Sequence, residues 1–209
     1  AGCGNGFGGG VGILQTDLLD SNASIEARYE INIRLDSQAS FTFSDPKLFS
    51  VAGQEVNFSV YSSLYQNSAS LFYGIGPSMP ESNQTDFAYN NLLTGIGLDF
   101  TVFEKIAVGP HFGARLVRGG TTQQGTSADT VFPAAQLPGF GQWLQMVDLG
   151  INFIHDDTDR RELPTRGGRR QFRFTSYLDA GQGDFGFQEY YVGARQYFPL
   201  WGKNVLEVR

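Results

Sequence analysis

Four side chains in the C-terminal half have the spacing that a cation site would need. His155, Asp156, Asp157 and Asp159 lie within five residues of one another. Hard cations such as Ca²⁺ and Mg²⁺ prefer clustered carboxylate oxygens, so a metal could bind here. The same stretch would also form a solvated hairpin if Asp159 paired with Arg160 to order the turn. We favour the hairpin, and we predict no metal ligand and no cofactor.

The other motifs that could support catalysis are weak. His111 lies in an alternating stretch, on the same predicted face as Arg115, which suits a hydrogen-bonding role better than catalysis. The sequence has no Gly-x-Ser-x-Gly elbow, no Cys-x-x-Cys pair and no His-Glu-x-x-His. The Gly-rich stretch 6–15 lacks the Gly-Lys-Ser/Thr ending of a phosphate loop and is predicted to be a strand. We therefore predict no catalytic residue and a non-enzymatic protein.

The composition excludes several classes of protein. The chain has 209 residues, a formal net charge of −6 and only 17% charged residues. An acidic chain without a basic stripe is a poor partner for nucleic acid. No apolar run approaches the roughly eighteen residues of a membrane helix. The single cysteine, Cys3, excludes an intrachain disulfide; it is either a lipidated residue or part of a fragment boundary.

The stretch 24–36 shows which kind of element positions the polar residues. Apolar or small side chains occupy every second position from Ile25 to Leu35, with polar, mostly charged residues between them. A period of two indicates a β-strand with two different faces. A strand of about ten residues with one apolar face can cross a membrane. We expect Ile31→Arg to block membrane insertion and Asn32→Arg to be tolerated.

The same alternation recurs along the chain and predicts about ten antiparallel strands. Connections are alternately short and long, and the stretch 119–141 is predicted to be a long surface loop. Aromatic residues near predicted strand ends resemble the girdles of outer-membrane barrels: Phe103, Trp143, Tyr190, Phe198 and Trp201. We predict an all-β, antiparallel, transmembrane outer-membrane β-barrel rather than a soluble one.

The polar positions of these strands are predicted to line the lumen, while the apolar positions face lipid. They carry charges of both signs, which can pair between neighbouring strands, so a strongly ion-selective pore is not expected. The predicted lumen-lining residues are Glu26, Arg28, Glu30, Arg34, Asp99, His111, Arg115, Asp148, Arg173, Asp179, Glu189 and Arg195.

Two stretches resemble the BamA/TamA-type outer-membrane assembly superfamily, also called the bacterial surface antigen family. The first is a loop motif, FYGIG, formed by Phe72, Tyr73, Gly74, Ile75 and Gly76. The second is a hairpin motif at 156–168, followed by a strand and then by YFPL at 197–200. The hairpin positions that match are Asp156, Thr158, Asp159, Arg160, Pro164 and Gly167.

The resemblance implies a sixteen-stranded barrel of which this chain supplies about the first ten strands. Residues 1–209 would then form a single β-barrel domain that is incomplete at its C-terminus. It also implies a location in the bacterial outer membrane, with lipid and client polypeptides or other surface-complex subunits as partners. The implied function is to help polypeptides insert into or cross that membrane. A passive porin-like or structural barrel, and the membrane anchor of a separate hydrolase domain, are the alternatives.

Overall fold

The chain folds into one continuous antiparallel sheet. The computed structural model describes residues 7–18, 23–51, 54–76, 79–160, 164–181, 185–202 and 204–209. In that part of the chain ten strands follow one another across the sheet in sequence order. The predicted all-β, antiparallel fold of about ten strands is therefore confirmed. Cys3 lies outside the described residues.

The strands vary widely in length. They are β1 (Gly8–Leu18), β2 (Ala23–Asn32), β3 (Ser37–Val51), β4 (Gln54–Phe72), β5 (Thr85–Phe103), β6 (Ile106–Gly120), β7 (Leu144–Asp156), β8 (Gly167–Asp179), β9 (Phe187–Pro199) and β10 (Val205–Val208). One short helix, α1 (Ala128–Val131), and 3-10 turns at Glu81–Asn83 and Ala134–Gln136 lie in the connections. Among the described residues, no helix has the length and apolar character needed to cross a membrane.

The longest strands extend well past a bilayer. β4 and β5 have 19 residues each, which at about 3.3 Å per residue gives roughly 63 Å. A crossing strand needs only about 9–11 residues. The ends of β4 and β5 therefore lie outside the hydrocarbon region, where they can carry polar connections.

The connections form two sets, one at each end of the strands. The turn end carries the tight turn at 104–105 and the connections 157–166 and 200–204. The loop end carries the turn at 33–36 and the long connection 121–143. The long connection is predicted from the sequence, although it begins and ends two residues later than expected.

β2 is shorter than its alternation predicts. The Oδ1 atom of Asn32 accepts hydrogen bonds from the backbone N–H groups of Arg34 (2.9 Å) and Asp36 (3.0 Å), and this local turn ends the strand. Leu35 has a φ of +64°. The prediction that Arg34 lines the lumen from a strand is therefore wrong, because Arg34 lies in the turn. Asn32→Arg would remove these bonds, so tolerance is no longer expected.

Proline interrupts the pairing of β3 with β4 and produces a bulge. The pairing of β3 with β4 changes register between Asp45 and Phe49, around Pro46. Proline has no N–H group for the ladder, so the pairing must skip it. The Asp45 carboxylate accepts a hydrogen bond from the Lys47 N–H (2.9 Å) and closes the bulge. The strand then continues to its end at Val51.

Strand register separates the sheet into two chemically different faces. Directly opposite residues share a face, and one row across β4 to β7 consists of Val60, Ile96, Phe112 and Leu149. Ile96, Phe112 and Leu149 are 44%, 51% and 60% exposed. Large apolar side chains exposed in this way suit contact with lipid chains. We call this side of the sheet the apolar face.

Candidate functional site

The opposite side, which we call the polar face, places glycine beside large polar side chains. One row runs from Tyr61 through Gly95, Gly113 and Asp148 to Tyr177, across β4 to β8. A Cβ atom on Gly95 would lie 2.5 Å from the Tyr61 hydroxyl, and one on Gly113 would lie 2.6 Å from Asp148 Oδ1. The two glycines thus let the neighbouring side chains lie flat against the sheet.

A second row brings His111 over another glycine. This row runs through Gly97, His111, Gly150, Thr175 and Glu189. The His111 ring lies over Gly150, and its Nε2 atom is 3.1 Å from the Thr175 hydroxyl. Thr175 is only 2% exposed. His111 therefore forms a hydrogen bond within the sheet wall, held in place by the missing side chain at Gly150.

Two arginines contribute positive charge to the same region. Arg115 donates a hydrogen bond to the Tyr177 hydroxyl (3.3 Å), and its guanidinium lies 4.8 Å from the centre of that ring. Arg173 forms an ion pair with Glu189 (3.1 Å) and lies 5.2 Å from the Tyr191 ring centre. Arg173 and Glu189 remain 41% and 38% exposed, so this pair contributes only about 0–1 kcal/mol.

These side chains surround a cavity of about 400 Å³. Residues from six strands, β4 to β9, line it. Six flat strands would span about 24 Å, so the sheet curves around its polar face. Asp148 is 3% exposed, and neither its Oδ1 nor the Nε of Arg115 has a hydrogen-bond partner among the described residues. The cavity thus offers one buried acceptor and one buried donor.

The predicted lumen-lining residues fall into three groups in the structure. Six line the cavity: Asp99, His111, Arg115, Asp148, Arg173 and Glu189. Five lie elsewhere on the polar face: Glu26, Arg28, Glu30, Asp179 and Arg195. Arg34 lies in the β2–β3 turn. The role of the glycines was missed, although glycine does recur at the polar positions of the predicted strands.

The hairpin motif is ordered by its own side chains. The Asp156 carboxylate accepts hydrogen bonds from the N–H (3.1 Å) and the hydroxyl (2.6 Å) of Thr158. Gly167 has a φ of +89°, and a Cβ atom there would collide with the backbone carbonyl of Asp157. Only glycine fits this position without strain. Arg160 and Pro164 flank residues 161–163, which lie outside the described part of the chain.

Asp159 closes the hairpin through Thr165. Its carboxylate accepts hydrogen bonds from the Thr165 hydroxyl (2.5 Å) and N–H (2.8 Å), and from the N–H of Arg166 (3.2 Å). The expected pairing of Asp159 with Arg160 is therefore wrong. The hydroxyl and the N–H of Thr165 hold the pKa of Asp159 at about 2.

Lowering the pH should break the hydrogen bonds by which Asp159 closes this hairpin. The ordinary pKa is 3.8, so the contribution of the Asp159 carboxylate is complete above about pH 4 and is lost as pH falls through about 2. In full-length protein we expect the hydrogen-exchange protection of the Thr165 amide to fall over this range. Asp159→Ala should abolish that protection at neutral pH, whereas Glu104→Gln, in the neighbouring turn, should not change it. Protection that persists in Asp159→Ala would contradict this role.

Asp157 and His155 also form contacts within this hairpin. Asp157 accepts a hydrogen bond from the Gly168 N–H (2.6 Å) and lies 3.8 Å from an Arg170 nitrogen. His155 Nδ1 lies 3.0 Å from the same arginine nitrogen. Across the residues that the structure describes, no group of three or more His, Cys, Asp or Glu side chains could hold a metal.

The loop motif packs against the long connection 121–143. Gly74 and Gly76 have φ values of +110° and +116°, which favour glycine. The Phe72 ring packs edge-on against Phe132, with 5.3 Å between ring centres. A Cβ atom on Gly74 would press on Phe132 at 3.3 Å. The motif thus leaves room for Phe132, which is 8% exposed.

Hydrogen bonds also fasten this connection to the strand ends. The Thr122 hydroxyl donates to the carbonyl of Ser68 (2.5 Å), and the Gln124 side chain donates to the carbonyl of Arg34 (3.0 Å). The Asp86 N–H donates back to the connection at 2.8 Å. The stretch predicted as a surface loop is therefore partly buried, and it packs against β4, β5 and the β2–β3 turn.

A curved antiparallel sheet with one lipid-facing apolar face and one polar face defines an outer-membrane β-barrel protein. The sequence profile of the Omp85 superfamily domain matches residues 18–209, and the chain belongs to this superfamily. The predicted family resemblance is thereby confirmed, as is the location in the bacterial outer membrane.

A solved structure shares the fold. The crystal structure of BamA from Haemophilus ducreyi lacking POTRA domains 1-3 matches with a TM-score of 0.58 and 16% sequence identity. The match covers 95% of this chain and 36% of that one, so the chain spans about a third of the BamA chain. At this identity the likeness concerns the fold alone. No curated protein matches the chain in sequence.

Proposed function

We propose that this barrel is a non-enzymatic protein that helps other polypeptides insert into, or cross, the outer membrane. The observation that carries the proposal is the family match over residues 18–209, which coincides with the continuous ten-stranded sheet. Residues 1–209 would form a single β-barrel domain, and their ten strands would be the first part of a larger closed barrel. In the completed barrel, lipid would contact the apolar face and the polar face would line the lumen.

The charge pattern of the polar face supports passage of a polypeptide rather than selective passage of ions. Selective pores use rings of one charge. Here the charges alternate in sign and partly pair, as in Arg173 with Glu189 and Arg28 with Glu26. A wall of this kind can offer hydrogen bonds to many sequences without holding any one of them tightly. Client polypeptides are therefore the proposed partners.

The partly buried connection at the loop end also favours assembly over a passive pore. Phe132 packs against Phe72, and Thr122 and Gln124 are hydrogen-bonded to strand-end carbonyls. A connection held by so many contacts would narrow the loop end of the lumen. A porin-like barrel would need that end open.

Reconstitution tests the proposed function. Full-length protein in liposomes should make an unfolded outer-membrane barrel client resistant to added protease several-fold faster than empty liposomes do. The control client is a soluble protein of similar length, whose protection should not change. Client protection at the rate of empty liposomes, together with large steady conductance in planar bilayers, would replace this proposal with the porin-like alternative.

A further inference from the structure

Two arginines face each other at the turn end of the polar face. Arg169 on β8 and Arg195 on β9 are directly opposite in register, and both are exposed. Opposite residues in an antiparallel ladder share a face and have Cβ atoms about 4.5–5.5 Å apart. Like charges so placed destabilise the sheet unless an anion relieves them. We propose that this arginine pair binds a carboxylate group of a polypeptide that reaches the polar face.

The acids of the adjoining hairpin are already engaged. Asp156 is opposite Arg169 on β7, but its Oδ1 atom accepts two hydrogen bonds from Thr158, and its carboxylate forms no ion pair among the described residues. Asp157 binds the Gly168 N–H at 2.6 Å. These two carboxylates thus bind groups of the hairpin and of Arg170, while both arginines of the pair are exposed.

Two more acids act on the arginine pair without forming ion pairs with it. Asp99 attracts Arg169 electrostatically, and Glu207 attracts Arg195 in the same way. Asp99 already accepts a hydrogen bond from an amide, and Glu207 holds Arg209 at 2.5 Å. Among the described residues, neither arginine of the pair is in a salt bridge. The guanidinium groups of the pair therefore have N–H donors that can bind an incoming anion.

Arg170, unlike the arginine pair, has an ion-pair partner within the described part of the chain, and it therefore supplies a control. Arg170 lies on the other face of β8 and contacts Asp157 (3.8 Å), His155 (3.0 Å) and Gln196 (3.4 Å). Its charge is compensated within the chain. Loss of Arg170 should therefore leave the polar face unchanged, although it is adjacent to Arg169 in sequence.

The occupant is inferred from the chemistry and the place of the pair. Guanidinium groups bind carboxylates through two parallel hydrogen bonds, which gives both strength and orientation. The pair lies on the polar face, whereas lipid contacts the apolar face, so a peptide carboxylate fits better than a lipid phosphate. It also lies at the turn end, away from the fastened connection 121–143. This inference rests on the proposed function, because it names the chemistry that a client would present.

Binding of a labelled tetraglutamate peptide to full-length protein in detergent micelles tests the site. Fluorescence anisotropy should show binding that weakens at high salt, and tetralysine should bind much less. The double variant Arg169→Gln/Arg195→Gln should weaken tetraglutamate binding by about tenfold or more, as expected for lost charge-assisted hydrogen bonds. Arg170→Gln should bind within about twofold of the native protein. Compact migration on unheated gels establishes that each variant is folded.

Three outcomes would overturn the inference. One is equal tetraglutamate binding by the native protein and the double variant. Another is an equal loss in Arg170→Gln, which would indicate general charge attraction. The third is displacement of the peptide from the arginine pair by phosphatidylglycerol but not by free glutamate, which would assign the pair to a lipid phosphate. If the protein does not protect the client in liposomes but arginine-dependent peptide binding persists, then the proposed function is wrong and the carboxylate site at the arginine pair is still supported.

Discussion

Leu64→Arg is expected to prevent stable folding in the membrane, whereas Ser63→Arg on the same strand is expected to fold normally. Leu64 lies near the middle of β4 on the apolar face, opposite Ala39 and Leu92. A lipid-facing arginine near the bilayer midplane costs about 2–4 kcal/mol. That corresponds to a loss of about 30- to 700-fold in the folding equilibrium. Denaturant titration of full-length protein in liposomes, followed by tryptophan fluorescence, measures it.

Ser63 is a matched control because it is the adjacent residue and points to the other face. It lies opposite Ser40 and Leu93. An arginine there can reach the aqueous lumen and should change the free energy of unfolding little. Equal losses in both variants would contradict the assignment of two different faces. A larger loss in Ser63→Arg would reverse it.

The second large effect is expected at Gly150. A Cβ atom there would collide with the Phe174 carbonyl oxygen and would lie 2.6 Å from the Nε2 atom of His111. The carbonyl belongs to the paired ladder and cannot move freely, so His111 must leave its place beside Thr175. We expect Gly150→Ala to lower the free energy of unfolding by about 1–3 kcal/mol, as overpacking does. The same titration in liposomes measures the change.

Gly119→Ala is the control for backbone effects. Gly119 also lies within a strand, but a Cβ atom there would meet the Phe87 ring at an ordinary 3.5 Å. Its substitution should be neutral or stabilise by up to about 1 kcal/mol, because alanine restricts the unfolded chain. Combining Gly150→Ala with His111→Ala should recover part of the loss. If Gly150→Ala and Gly119→Ala behave alike, then steric contact with His111 is not what Gly150 provides.

The alternation along each strand was sufficient to predict the face of most polar residues. Asp99, His111 and Asp148 lie on the polar face because a period of two leaves only one choice once the apolar positions are known. Arg34 was misplaced for a local reason. The alternation continues past Asn32, but the side chain of Asn32 offers the backbone a turn that competes with the ladder.

The rows across the sheet could not be predicted, because they depend on register between strands. Nothing within β6 shows that Gly113 will lie opposite Asp148, or that His111 will lie over Gly150. The same holds for the arginine pair, since Arg169 and Arg195 are far apart in sequence. Burial of Phe132 could not be predicted from the sequence either, because its partner Phe72 lies at the end of β4, far away along the chain.

The sequential order of the strands has a consequence for how fast the sheet can form. Each strand from β1 to β10 pairs with the strand that precedes or follows it in the chain. Contacts between near neighbours in sequence lower the entropy that must be lost before a pairing is gained, and they speed folding. The sheet can therefore form by the addition of one neighbouring strand at a time. In a closed barrel, the slow step would be the single pairing that joins distant parts of the chain.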